Sequence, residues 1–123
     1  MAAKKKILIA EDEKPMAKAL ALKLSKAGYA VENAYDGEEA LVYLKNGKFD
    51  LVLLDLMMPK VDGFGVLEEK QKRGDKTPVI VSTNLSQTED QDKCKKLGAV
   101  DYFVKSNTPI TEVIVHVEKA LKK

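Results

Sequence analysis

Short apolar runs alternate along this chain with stretches in which apolar residues recur every three to four positions. The runs at 7–10, 30–34, 51–55, 79–83 and 102–104 read as strands. Between them, helical spacing and end signals predict helices over about 15–27, 37–46, 64–72, 88–97 and 110–121. Pro15 suits a first helical turn, where its missing N–H costs nothing. Gly28, Gly47, Gly74 and Gly98 stand where four of the helices should stop, and Asp36-Gly37 and Asp62-Gly63 read as turns before helices. In the last helix Ile110, Val113, Ile114, Val117 and Leu121 fall on one face. The third run, Leu51-Val52-Leu53-Leu54, is apolar on both faces, as a central parallel strand should be. Strict alternation of strand and helix predicts an α/β fold: an open five-stranded parallel sheet with five helices on both faces and right-handed crossovers.

The third run ends in an anomaly. Asp55 follows four apolar residues and precedes Leu56, Met57 and Met58, and a carboxylate there is costly to bury unless something compensates. Other unusual polar residues also fall at strand ends: Glu11 and Asp12 after the first, Thr83 ending the fourth, Lys105 after the fifth. Ligands bind such sheets at the carboxyl ends of the strands, beside the topological switch point. If the second strand lies at one edge, the order 2-1-3-4-5 brings all five residues to one mouth. Three crowded carboxylates repel one another, and a divalent cation removes that conflict. Mg²⁺ takes hard oxygen ligands, often one or two carboxylates with several waters. A carboxylate between such a metal and a lysine can attack phosphorus and form an aspartyl-phosphate, with the metal and Lys105 neutralising the equatorial oxygens.

Composition narrows the alternatives. The 123 residues suit one domain, 1–123, and at 45% hydrophobic and 33% charged the chain is too apolar for disorder. A net charge of +2 does not argue for nucleic acid. The lysines at 4–6 and 122–123 read as solvated tails, and His116 as a solvated residue off the apolar stripe. Cys94 is the single cysteine, so no internal disulfide forms; it reads as a packed thiol in a reducing compartment. No apolar run reaches 18 residues, and the expected location is cytoplasmic, away from membranes.

The segments ILIAEDE, YDGEEAL, DLVLLDLMMPKVDGFGVL, PVIVST and LGAVDYFVK, in this order and spacing, resemble the response-regulator receiver domains of two-component signalling, chemotaxis type, across nearly the whole chain. The strand order 2-1-3-4-5, a flavodoxin-like arrangement, is shared with that family and is in part taken from it. The resemblance implies Asp55 as phosphoacceptor and Glu11 and Asp12 as the acidic pair for Mg²⁺, Asp12 the more direct ligand. It implies the backbone carbonyl of Met57 as a further metal ligand, Thr83 as the switch hydroxyl, Lys105 as the family lysine and Tyr102 as the aromatic switch. The donor would be a histidine kinase or a histidine phosphotransfer protein. The output would be a downstream protein or an output domain, with no nucleic acid bound by this chain. A phosphatase with an aspartyl nucleophile usually has a second Asp two residues on; here that residue is Met57. An unphosphorylated adaptor would not need Asp55, Thr83 and Lys105 together.

Three departures from the family pattern stand out: Glu11 where Asp is usual, Asn84 where Ala or Gly is usual, and Ser106 where Pro is usual. Without proline, a cis bond after Lys105 would cost about 2.5–4 kcal/mol, so a trans bond and a shifted loop up to Pro109 are expected. The resemblance implies that the residues two past Asp55 and two past Thr83, here Met57 and Leu85, flank the phosphoryl group. Both are apolar, offer no group to orient an attacking water, and imply slow self-dephosphorylation.

Overall fold

In the computed structural model, which describes residues 4–122, the sheet has the order expected. Strands β1 (Lys6–Ala10), β2 (Ala30–Ala34), β3 (Leu51–Leu54), β4 (Val79–Thr83) and β5 (Asp101–Val104) pair in parallel in the order β2-β1-β3-β4-β5. Helices α1 (Lys14–Lys26), α2 (Gly37–Asn46), α3 (Gly63–Arg73), α4 (Thr88–Lys96) and α5 (Ile110–Leu121) connect and follow them. A short 3-10 turn, Lys105–Asn107, separates β5 from α5.

Successive side chains of a strand point to opposite faces, so each central strand feeds two cores. Ile7, Ile9, Leu51, Leu53, Ile80 and Phe103 pack against Leu20 and Leu24 of α1 and Val113 and Val117 of α5. Leu8, Val52, Leu54, Val79 and Val81 face the other way, toward Ala40 and Leu44 of α2, Val66 and Leu67 of α3 and Cys94 of α4. Burial on both sides explains the unbroken apolar runs of β1, β3 and β4.

The chain leaves β1 for β2 on one side and returns to β3 on the other, so the crevice between the two departures lies over β1 and β3. Pairing of Ala10 with Leu54 puts the next residues, Glu11 and Asp55, side by side. The backbone holds both just beyond the ladder: Asp55 N donates to Ala10 O (3.0 Å) and Glu11 N to Ala34 O (3.0 Å).

Two glycines permit close packing around this end. A Cβ on Gly63, the first residue of α3, would lie 2.5 Å from Asp55 O and 2.6 Å from Leu56 Cα. A Cβ on Gly37, the first residue of α2, would collide with the carbonyl of Val61. Both helices also start on an aspartate cap, Asp36 accepting from Glu39 N (2.7 Å) and Asp62 from Gly65 N (2.9 Å). The loop after β3 is thus wedged between two capped helix starts. The sequence pattern showed the turns but not the steric need for glycine.

Of the terminal lysines, Lys4, Lys5 and Lys122 are exposed as expected of solvated tails, and Lys6 is the exception. Lys6 lies in β1; its N–H donates to Asp50 Oδ2 (2.7 Å) and its Nζ sits 4.9 Å from the Phe49 ring centroid. Lys123 lies outside the described residues. His116 is another correction: its Nδ1 is 2.5 Å from Asp101 Oδ2, and its ring packs on Phe103 with centroids 5.1 Å apart. Helical spacing puts His116 off the apolar stripe, but a long-range partner on β5 leaves it half-buried rather than fully solvated. Cys94 is fully buried as expected, and burial pushes its thiol up to about 11, which keeps it protonated and inert.

Candidate functional site

Glu11 and Asp55, 2% and 4% exposed, are buried carboxylates at the ends of neighbouring strands. Lys105, the residue after β5, reaches over them. Its Nζ donates to Glu11 Oε1 at 2.6 Å and Asp55 Oδ2 at 3.0 Å, and Glu13 Oε1 stands 3.7 Å away. The remaining oxygens are also engaged by the backbone: Asp55 Oδ1 accepts from Met57 N (3.2 Å) and Glu11 Oε2 from Glu13 N (3.1 Å). The extra methylene of Glu11 leaves one carboxylate serving both the lysine and the start of α1.

The electrostatics follow from these contacts. Burial works to lower the Lys105 pKa, but hydrogen bonds and charges from Glu11 and Asp55 outweigh it, and the pKa rises above 10.5. At Glu11, burial raises the pKa above 4.5 although Lys105 and the Glu13 N–H pull it down; the Asp55 charge adds to the rise. One lysine therefore does not fully compensate the acidic cluster.

Asp12 completes the cluster from the exposed side. One carboxylate oxygen from each of Glu11, Asp12 and Asp55 lies within 4.8 Å of the others. Three hard oxygen donors short of positive charge suit a small divalent cation such as Mg²⁺. They sit at a cleft of about 220 Å³ lined by Asp12, Glu13, Asp55, Met57, Asn84 and Lys105.

Thr83 and Tyr102 stand one layer back. Thr83 is fully buried at the end of β4, and its Oγ1 accepts from Leu85 N (3.4 Å). Tyr102 Oη donates to Leu85 O (2.5 Å), which ties the loop after β4 to β5. Neither lines the cleft. Met57 does, with its side chain 60% exposed at the mouth. Leu85 does not: it leans onto the core beside Tyr102. Of the two side chains expected at the phosphoryl group, Met57 stands at the rim with Asn84, and packing turns Leu85 inward. Glu13 also lines the cleft and was not singled out in the sequence; its place just before the helix start, directly after an acidic pair, was the available signal.

The loop after β5 has the trans bond expected at Ser106. Among the described residues every peptide bond is trans, Lys105–Ser106 included. The segment folds as the 3-10 turn, with Thr108 Oγ1 donating to Val104 O (2.9 Å).

The sequence pattern that defines the response regulator receiver domain matches residues 7–117. The chain belongs to the response-regulator receiver family. A probable transcriptional regulator, ycf27, of Porphyridium aerugineum is 45% identical over 123 residues, covering 95% of this chain and 51% of that protein. The receiver spans about half the length, or less, of the curated relatives it matches. Among solved structures, the receiver domain of the Francisella response regulator 1452 superposes with a TM-score of 0.90 at 34% identity, covering 96% of this chain and 97% of that one. The response regulator TrrA of Thermotoga maritima, in complex with Mg²⁺ and beryllofluoride, superposes with a TM-score of 0.84 at 33% identity, covering 95% and 99%. The receiver is accordingly a phosphorylation-dependent signalling module of two-component systems, a family that binds Mg²⁺ at an acidic pocket, and Glu11, Asp12 and Asp55 form an acidic cluster that could hold such an ion. Among the described residues no helix is long and apolar enough to cross a membrane.

Proposed function

We propose that Asp55 is the phosphoacceptor of this receiver and that Lys105 and Thr83 complete its machinery. The observation that carries the reading is the position of Lys105 Nζ, shared between buried Asp55 and Glu11 at the edge of an acidic cluster. An Asp55 carboxylate oxygen attacks the phosphorus of the donor and forms an O–P bond. The bond from phosphorus to the donor, a histidine nitrogen or the acyl oxygen of a small phosphodonor, breaks and its electron pair leaves with the donor. Asp12, Asp55, Glu11 and the Met57 carbonyl would hold Mg²⁺, which when bound would neutralise charge on the transferring group. Lys105 exchanges its Asp55 contact for a phosphoryl oxygen. Thr83 is drawn from Leu85 N toward another, which frees the loop that Tyr102 holds and shifts an existing equilibrium between two states.

The same reading assigns the surroundings. The single domain 1–123 accepts phosphate from a histidine kinase or a histidine phosphotransfer protein in the cytoplasm. It catalyses only its own phosphorylation and dephosphorylation. The face made by α4, β5 and α5 passes the signal to a downstream protein or an output domain. The curated relatives are transcriptional regulators; in this reading any contact with DNA falls to an output partner rather than to residues 1–123, whose net charge is only +2.

Intact-mass analysis after incubation with acetyl phosphate tests the proposal. Wild type should gain one phosphoryl group with Mg²⁺ and none with excess EDTA, and Asp55→Asn should gain none. Equal labelling of both proteins would sink the assignment of Asp55. Steady turnover of external phosphoesters would favour the phosphatase alternative.

A further inference from the structure

The loop that carries Lys105 has a tether on the far side of the cleft. Ser106 N–H, one of the free donors at the start of the 3-10 turn, donates to Asn84 Oδ1 at 3.0 Å. Asn84 follows Thr83 at the end of β4, and Ser106 follows Lys105 at the end of β5. The bond thus joins the residues next to the two side chains proposed to grip the phosphoryl group. It also fixes the carboxamide's orientation, because only the oxygen end can accept from a backbone N–H. The rest of the turn is held from within, by Thr108 N to Lys105 O (3.3 Å) and Thr108 Oγ1 to Val104 O (2.9 Å). Among the described residues, Asn84 supplies the one side-chain bond to the turn's backbone from across the cleft, and it lines the cleft itself with Asp55 and Lys105.

We propose that Asn84 is a positioning residue for Lys105: its side chain clasps Ser106 N–H and holds the lysine-bearing turn in register with Asp55. A proline at 106 would have no N–H to offer, so the two residues work as a pair. The clasp rests on the reading of Asp55 and Lys105 as the phosphoryl site. It predicts that losing the tether weakens the hold on a phosphoryl-like anion while leaving the cation's own oxygens untouched.

The test is an NMR titration of the full chain, first with Mg²⁺ alone, then with beryllofluoride at saturating Mg²⁺. Asn84→Ala and Ser106→Pro should each weaken beryllofluoride binding roughly two- to tenfold, the range of one net hydrogen bond. Affinity for Mg²⁺ alone should stay at the wild-type value. Ser106→Ala keeps the N–H and should bind as wild type does. The double variant Asn84→Ala, Ser106→Pro should be no weaker than the worse single variant, since both remove the same bond. Wild-type beryllofluoride affinity in Asn84→Ala, an equal loss of Mg²⁺ affinity, or full additivity in the double variant would each overturn the clasp. Asn84→Ala carries the test by itself if Ser106→Pro does not fold. Failure of wild type to bind beryllofluoride at all would instead overturn the phosphoacceptor reading, and the clasp with it.

Discussion

Lys70 and Lys105 are buried to nearly the same degree, with 6% and 7% of their side chains exposed, and each meets an aspartate at close range. Lys70 Nζ lies 3.1 Å from Asp75 Oδ1, at the amino-terminal edge of β4; Lys105 Nζ lies 3.0 Å from Asp55 Oδ2, at the carboxyl-terminal edge of the sheet. Their pKa values nevertheless move in opposite directions. Burial dominates at Lys70 and a single carboxylate does not offset it, so its pKa falls below 10.5. At Lys105 two carboxylates overcome a comparable burial. The balance of charge around each lysine decides what it does. At Lys70 one cation meets one anion, and Asp75 is further satisfied by Thr77 N (2.9 Å) and Thr77 Oγ1 (2.7 Å). That end is closed on itself and pins the turn between α3 and β4. At Lys105 one cation faces Glu11, Asp55 and the nearby Glu13, with Asp12 beside them. The surplus of negative charge leaves room for a metal. Cavity size would have pointed the wrong way, since the cleft beside Lys70 measures about 270 Å³ against about 220 Å³ at the acidic mouth.

Removing each lysine should separate the two roles most sharply. Lys105→Met should lose nearly all phosphate uptake from acetyl phosphate. Without Mg²⁺ it should be less stable by roughly 3 kcal/mol, because two buried carboxylates lose their cation. Much of that loss should return on adding Mg²⁺, which binds the folded state. Lys70→Met should take up phosphate at the wild-type rate and lose only about 1 kcal/mol, since Asp75 keeps both Thr77 bonds and part of its hydration. Urea melts with and without Mg²⁺ check both. Equal costs for the two variants would break the comparison.

The second consequence is a difference in pH dependence. Lys70 has its folded pKa below 10.5, so between that value and 10.5 the unfolded chain holds more protons there than the folded one. Its contribution to stability rises with pH across that window and is lost as pH falls through it. For Lys105 the sign reverses: its contribution is full below 10.5 and is lost as pH rises through the raised folded value. Cys94, pushed up to about 11 from 9.0, removes stability over that interval in every variant alike. Differences from wild type in alkaline urea melts therefore isolate the lysines. Lys70→Met should lack a rise that wild type has, and Lys105→Met a fall. The same slope in both would contradict the charge balance.

A smaller effect separates the rim from the core within the phosphoryl site. Met57 lines the cleft and Leu85 leans away from it, so Met57→Asn alone should shorten the lifetime of the Asp55 phosphate severalfold by offering a polar group to the attacking water. Adding Leu85→Glu should bring no further shortening. Phosphate-loss rates by mass spectrometry decide. If only the double variant decays faster, Leu85 reaches the cleft after phosphorylation.

By itself, the sequence was enough for the element order, the parallel sheet and the residues worth watching. Apolar period, helix caps and turn residues are local signals, and the strand-end positions of Glu11, Asp55, Thr83 and Lys105 follow from them once the strands are placed. The expected ends shifted by only a residue or two, as with Asp55, which stands just past its strand instead of closing it. The tertiary structure decided which polar groups meet. Lys105 finds Glu11 across 94 positions of sequence, Ser106 finds Asn84 across 22, and Asp101 takes His116 off the solvated face. Tyr102 holds the Leu85 carbonyl, while Gly63 yields the space that the Asp55 loop needs. Such pairings depend on side-chain direction and on the register of neighbouring strands, which packing sets only after the chain has closed. For the same reason the opposite behaviour of Lys70 and Lys105 shows only in the fold: the number of carboxylates around a buried ammonium is a property of three-dimensional neighbours.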